Sequence, residues 1–209
     1  MWLRLEAGCL GKGKLIVFEG LDGSGKTTQA LLLVEALKAK GFKACYTCEP
    51  TYWRVGDLLR LHVSRLKRRS PVYEALLFAA DRYEHAAREV RPKLRRGYLV
   101  VSDRYLHSSL AYQGASGLSL QWIKRINFFA PKPDAVIFLD VPAEEALKRK
   151  LKGKRSGRGF ESLSFQRKVR KVYLKMAEEE GFLTFDALKP VDELHREILG
   201  EVLKLLKGR

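Results

Sequence analysis

Short runs of β-branched and aromatic residues alternate along the whole chain with longer stretches whose apolar positions recur every three or four residues. The short runs lie near residues 14–19, 43–48, 98–102, 134–140 and 182–185 and read as strands. Between them the helical period predicts helices near 26–40, 54–67, 71–96, 105–114, 119–129, 142–151, 161–180 and 190–207. Pro71 and Pro142 suit helix starts, and Gly41 and Gly97 suit the stops that precede strands. Strands alternating with helices predict an α/β fold, a parallel sheet covered by helices on both faces. The 209 residues fit one such domain, 14–209, behind an N-terminal extension at 1–13 that lacks the apolar core of a secretory signal.

One junction between strand and helix carries chemistry. The run Leu15-Ile-Val-Phe18 feeds Gly20-Leu-Asp-Gly-Ser-Gly-Lys-Thr27, which fits the phosphate-binding pattern G-x-x-x-x-G-K-[ST] at every fixed position. Gly20, Gly23 and Gly25 let the backbone turn sharply enough for successive N–H groups to face one polyphosphate. The positive end of the following helix adds to that field. The expected nucleotide-binding set is Gly20, Leu21, Asp22, Gly23, Ser24, Gly25, Lys26, Thr27 and Thr28. Lys26 can reach the β- and γ-phosphates, and the Thr27 hydroxyl can ligate Mg²⁺. ATP and Mg²⁺ are therefore the expected cofactors. Asp103, at the end of the third strand, stands where the metal and its water shell are usually held, and Arg104 beside it offers a planar fork to a phosphate.

Charge and cysteine content narrow the setting. Forty Lys and Arg against twenty-four Asp and Glu give +16, which favours an anionic partner. A nucleic acid is one candidate, but the basic residues are dispersed, with no aromatic-interleaved basic stripe. Nucleotide substrates are the better match. No stretch reaches 18 consecutive apolar residues, so no membrane partner is expected. Three cysteines argue against a disulfide framework and for a reducing, cytoplasmic setting. The glycine-rich basic segment at 149–160 cannot bury an apolar face and suits a lid that brings cations over phosphates.

Several further segments carry a resemblance. FEGLDGSGKTTQ, Glu49-Pro50, LLFAADRYEH at 76–85, DRY with SSLAYQG at 103–114, FLDVP at 138–142 and F-x-x-K-V-R-x-x-Y at 165–173 together resemble thymidylate kinase, in order and in spacing. The resemblance spans about Leu15 to Glu180. It implies a P-loop fold of the nucleoside monophosphate kinase type, three-layer α/β/α with a five-stranded parallel sheet. It further implies a homodimer and transfer of the γ-phosphoryl of ATP to dTMP. By resemblance Phe78 stacks on the thymine, Arg82 binds the base edge, and Tyr112 and Gln113 close on sugar and base. Asp22 contacts the acceptor's 3′-hydroxyl, Arg104 holds its phosphate with Ser108 nearby, and Glu49, Arg60 and Phe160 join the substrate set. The four variable loop positions (Leu21, Asp22, Gly23, Ser24) include no basic residue, so the catalytic arginine is expected from the lid, Arg155 or Arg158. The chain departs from the family where the lid ends Arg158-Gly159-Phe160-Glu161 and where Thr51-Tyr-Trp-Arg54 follows Glu49-Pro50. Arg54 is a candidate substitute at the second place. Another nucleoside monophosphate or deoxynucleoside kinase, or a nucleic-acid-dependent P-loop ATPase, stands as the alternative.

Overall fold

In the computed structural model, which describes residues 13–65, 70–151 and 162–207, all five expected strands are present. They are β1 (Lys14–Gly20), β2 (Ala44–Cys48), β3 (Leu99–Asp103), β4 (Ala135–Asp140) and β5 (Leu183–Asp186). The connecting helices are α1 (Lys26–Ala39), α2 (Arg54–Arg65), α3 (Pro71–His85), α4 (Arg91–Arg95), α5 (Leu106–Ala115), α6 (Leu120–Ile126), α7 (Ala143–Leu151), α8 (Leu163–Glu180) and α9 (Val191–Lys207). Every strand pair is parallel, in the order β2-β3-β1-β4-β5. The central strand explains its own composition. Leu15 to Phe18 are wholly buried because side chains alternate between faces that are both covered. Ile16 and Phe18 join the larger core with Leu33, Leu37, Val169 and Ile198. Leu15 and Val17 face the smaller one, with Val90, Val100 and Tyr105.

The helix expected over 71–96 is interrupted. A π turn, Ala86–Val90, joins α3 to α4, and the Arg91 amide donates to the Ala86 carbonyl five residues back. Pro92 supplies the reason: it has no N–H, and in a regular helix its ring would meet the Arg88 carbonyl. Gly41 and Gly97 both take positive φ (85° and 77°), where side chains with a Cβ are strained, and end their helices as expected.

Two features of this frame position a site. Strand order reverses about β1, so a crevice opens at its carboxyl end, where Phe18 pairs with Asp103 and Gly20 with Leu139. Helix capping points the same way. Ser70, Ser119 and Ser162 cap α3, α6 and α8 through their hydroxyls, whereas Gly25 begins α1 in the left-handed conformation with no side-chain cap. The N-terminus of α1 is left open toward the crevice.

Candidate active site

The phosphate loop runs from the end of β1 to the start of α1, with Gly20, Gly23 and Gly25 at φ of 144°, 91° and 91°. Lys26 is buried and folds back on its own loop, donating to the Gly20 carbonyl at 3.1 Å and the Leu21 carbonyl at 2.7 Å. Burial and the nearby Arg104 push its ammonium down to about 8, against the opposing pull of Asp22, Asp103 and Glu19. Thr27 and Thr28 are exposed on the first turn of α1. The Thr27 hydroxyl donates to Asp103 Oδ2, which also accepts from the Tyr46 hydroxyl at 3.4 Å. Asp103 Oδ1 is buried with no hydrogen-bond partner among the described residues. A hydroxyl beside an unsatisfied carboxylate oxygen suits a magnesium ion that takes its other ligands from water and phosphate. Ser24 Oγ is likewise buried with no hydrogen-bond partner among the described residues.

Asp22 joins this donor side to an acceptor side. Its Oδ1 accepts from Arg104 Nη2, and its Oδ2 accepts from Lys150 Nζ at 2.6 Å. Burial would raise the Asp22 carboxyl, but Arg104, Lys26 and Lys150 hold it well below the usual range. Arg104 occupies φ of 73°, a conformation that costs a residue bearing a Cβ on the order of 1–3 kcal/mol. Its amide donates to the Phe18 carbonyl at 2.9 Å, and its guanidinium lies 5.3 Å above the Tyr112 ring and 3.0 Å from Ser108 Oγ. The strand end is thus turned so that Arg104 points into the crevice.

Glu19 anchors this arrangement from beneath. It accepts from the Tyr105 amide (2.9 Å), the Ser108 amide (3.1 Å), Ser108 Oγ (2.6 Å) and the Tyr173 hydroxyl (2.8 Å). A wholly buried carboxylate from β1 therefore satisfies the open N-terminus of α5 and ties α8 to it. Tyr173 also stacks on Phe138, ring centres 5.3 Å apart. Ser108, expected near the acceptor phosphate, bridges Glu19 and Arg104. Glu19 and Tyr173 both fall inside segments that carry the resemblance, FEGLDGSGKTTQ and the motif at 165–173, but neither is given a role by the sequence. An acid inside the apolar run LIVFEG was the available signal, because a buried charge must be paired.

The acceptor side is built on α3. Arg82, 1% exposed, donates from Nε to Glu49 Oε2 (2.9 Å), from Nη1 to Asn127 Oδ1 (2.6 Å) and from Nη2 to the Tyr105 carbonyl and Ser109 Oγ. Of its five donor hydrogens, at most one, on Nη1, is left for a base. Glu49 lies at the end of β2, before a cis peptide to Pro50, and its other oxygen meets His85 Nδ1 at 3.0 Å. His85 Nε2 is 2.7 Å from Thr47 Oγ1. The four histidines suggest helix-surface or site-rim residues, yet His85 and His107 are buried. His85 shares the buried side of α3 with Ala75, Ala79 and Arg82, and His107 pairs with Glu180 at 3.3 Å. Phe78 is half-buried one turn before Arg82, on the same helix face. Gln113 is buried, and its Oε1 has no partner among the described residues. Tyr112 packs near Phe165 and Tyr173.

The remaining expected residues divide. Arg60 donates to the Pro50 carbonyl (2.9 Å) and to Asp57, and lies over Tyr52, so it secures the turn after β2. Asp81 does the same from α3, accepting from the Thr51 amide and hydroxyl. Arg54 is exposed. Arg155, Arg158 and Phe160, with most of the expected lid, lie outside the described residues. Among the described residues no helix is long and apolar enough to cross a membrane.

A parallel five-stranded sheet with a phosphate loop after β1, and an Asp-Arg pair at the end of β3, define a P-loop protein of the nucleoside monophosphate kinase type. Comparison with known proteins narrows the class. The sequence model of the thymidylate kinase family matches residues 18–198. A probable thymidylate kinase of Pyrococcus abyssi is 46% identical over 205 residues, covering 94% of this chain and 99% of that protein. One from Pyrobaculum calidifontis is 42% identical (88% and 93% covered), and one from Methanococcus vannielii is 48% identical (79% and 78% covered). The chain belongs to the thymidylate kinase family.

Proposed function

We propose that the protein transfers the γ-phosphoryl group of ATP to dTMP, giving ADP and dTDP, with Mg²⁺ held by Thr27 and Asp103. The observation that carries this assignment is the bridge from Asp22 to Arg104, which sets a phosphate-loop side chain against a cation at the end of β3. One anion on the loop and a second on Arg104 would then lie side by side. The acceptor is already a phosphate, so no general base is required at neutral pH, and the work is alignment and charge stabilisation. Bound Mg²⁺ would neutralise charge on the β- and γ-phosphates. Lys26 leaves the loop carbonyls for those phosphates, and Arg104 leaves Asp22 for the dTMP phosphate. Asp22 accepts from the 3′-hydroxyl. Phe78 and the remaining Arg82 hydrogen meet the base, Gln113 Oε1 gains a donor, and Tyr112 closes on the sugar. A lid arginine, Arg155 or Arg158, completes the charge, with Phe160 in the substrate set. We assign the enzyme to the cytoplasm.

A homodimer belongs to the same proposal. Tyr73, Leu76, Ala80, Tyr83 and Ala87 are exposed at alternating spacings of three and four along α3 and the π turn, beside exposed Leu58 and Leu61 of α2. An apolar seam of that period suits packing against a second helix.

The test is ADP release with ATP and Mg²⁺ while dTMP, dUMP, UMP, CMP, AMP and GMP are offered in turn. Turnover strongest with dTMP supports the assignment, and strongest turnover with another acceptor replaces the substrate. Absence of acceptor-dependent ADP with all six overturns the kinase.

A further inference from the structure

A carboxylate inside an anion-binding loop is electrostatically misplaced. Asp22 sits among the glycines that cradle phosphate, and any nucleotide bound there brings like charge toward it. In the present structure two cations compensate it, Arg104 on one oxygen and Lys150 on the other. They are not equivalent. Arg104 is the residue proposed above to turn to the acceptor's phosphate, and once it does, its claim on Asp22 weakens.

Lys150 is held differently. It lies in the last turn of α7, and α7 approaches the phosphate loop so closely that a Cβ on Gly23 would fall on the Ala146 carbonyl and lie 3.3 Å from the Lys150 amide nitrogen. The adjacent Arg149 fastens the same turn, donating to Glu145 at 2.9 Å and to the Ala187 carbonyl at 2.8 Å. The Lys150 backbone is therefore fixed relative to the loop. Its ammonium takes the Asp22 oxygen that Arg104 does not, with both partners only partly exposed (25% and 33%). Each Asp22 oxygen is engaged by one of these cations, and of the four lone pairs of the carboxylate two are left to accept from a further donor.

We propose that Lys150 is the standing counter-ion of the phosphate-loop carboxylate, a positioning residue that orients Asp22 toward the acceptor and neutralises it when Arg104 engages phosphate. This rests on the roles given to Asp22 and Arg104 above. The pair is partly open to solvent, which screens its contribution to stability, so the effect belongs to binding more than to folding.

The experiment is a double-mutant cycle on Asp22→Asn and Lys150→Met, read by dTMP titration calorimetry and by steady-state kinetics, with melting temperatures recorded for each variant. Lys150→Met alone is expected to raise the KM and Kd for dTMP about tenfold, with kcat changed less than about threefold, the size of coupling usual for paired charges. Lys150→Arg restores the affinity to within about threefold of the parent, since the charge is kept. In the Asp22→Asn background the same Lys150→Met change is expected to shift Kd less than about twofold. An equal loss in both backgrounds overturns the inference, because Lys150 would then meet phosphate itself. An unchanged Kd in the parent background overturns it too, as does a loss that follows the melting temperature. Failure of the unmutated protein to bind or turn over dTMP sinks the underlying assignment instead, and is distinguishable from either result.

Discussion

Lys26 shows how a single residue carries the state of the site. Its ammonium is buried on two carbonyls beside Arg104, and burial with that neighbouring charge pushes its pKa down to about 8. That lies below the ordinary lysine value of 10.5, so between about pH 8 and 10.5 the unfolded chain binds more protons than the folded one. Lys26 therefore disfavours folding most below pH 8, and its contribution improves as pH rises through that window. A phosphate reverses the balance by favouring the charged form. Binding of ADP at pH 8 should take up about half a proton per site, and the affinity should fall as pH rises further. Calorimetry in two buffers of different ionisation enthalpy measures the uptake, with Lys26→Met as the control that removes it. Equal heats in both buffers would contradict the buried, depressed lysine.

At the scale of elements, the phosphate loop is defined as much by α7 as by its own glycines. Gly23 combines φ of 91° with a Cβ position occupied by the Ala146 carbonyl, so any side chain there must both strain the loop and push α7 away. Gly23→Ala should lower the melting temperature by about 5–10 °C, from a left-handed penalty of ~1–2 kcal/mol plus the clash. It should also weaken ADP binding, since the loop can no longer close over the phosphates. Gly25, at the same φ, has nothing among the described residues within 4 Å of its Cβ position. Gly25→Ala should therefore be the milder change in scanning calorimetry, and equal losses at the two positions would argue against the α7 contact. The elements themselves were legible in the chain. The strand-loop-helix unit, the stops at Gly41 and Gly97 and all five strands follow from short-range pattern, with ends shifted by a residue or two. The π turn before Pro92 was not anticipated, because the helical period alone does not say how a helix absorbs a proline.

For the molecule as a whole, the proposed dimer rests on the exposed seam on α3. Tyr73, Leu76 and Tyr83 are 46%, 48% and 57% exposed at coiled-coil spacing, an apolar stripe of the kind that marks an interaction surface. Sedimentation velocity should find the protein dimeric and Leu76→Glu largely monomeric, with the sheet unaffected by circular dichroism. A monomeric parent protein would remove the seam as a dimer surface.

The sequence by itself determined the sheet, the phosphate loop and the residue types that gather around it, because each is written in neighbouring positions and in a period of two or of three to four. Tertiary structure decided how the charges are shared. Glu19 meets Tyr173 across 154 residues, Asp22 meets Lys150 across 128, and Arg82 turns its guanidinium to Glu49 across 33. No local pattern encodes such pairings. Once β1, α3, α5, α7 and α8 are packed around one crevice, a buried charge must find its partner among whatever the fold brings near, since leaving it unpaired costs more than ordering the pair.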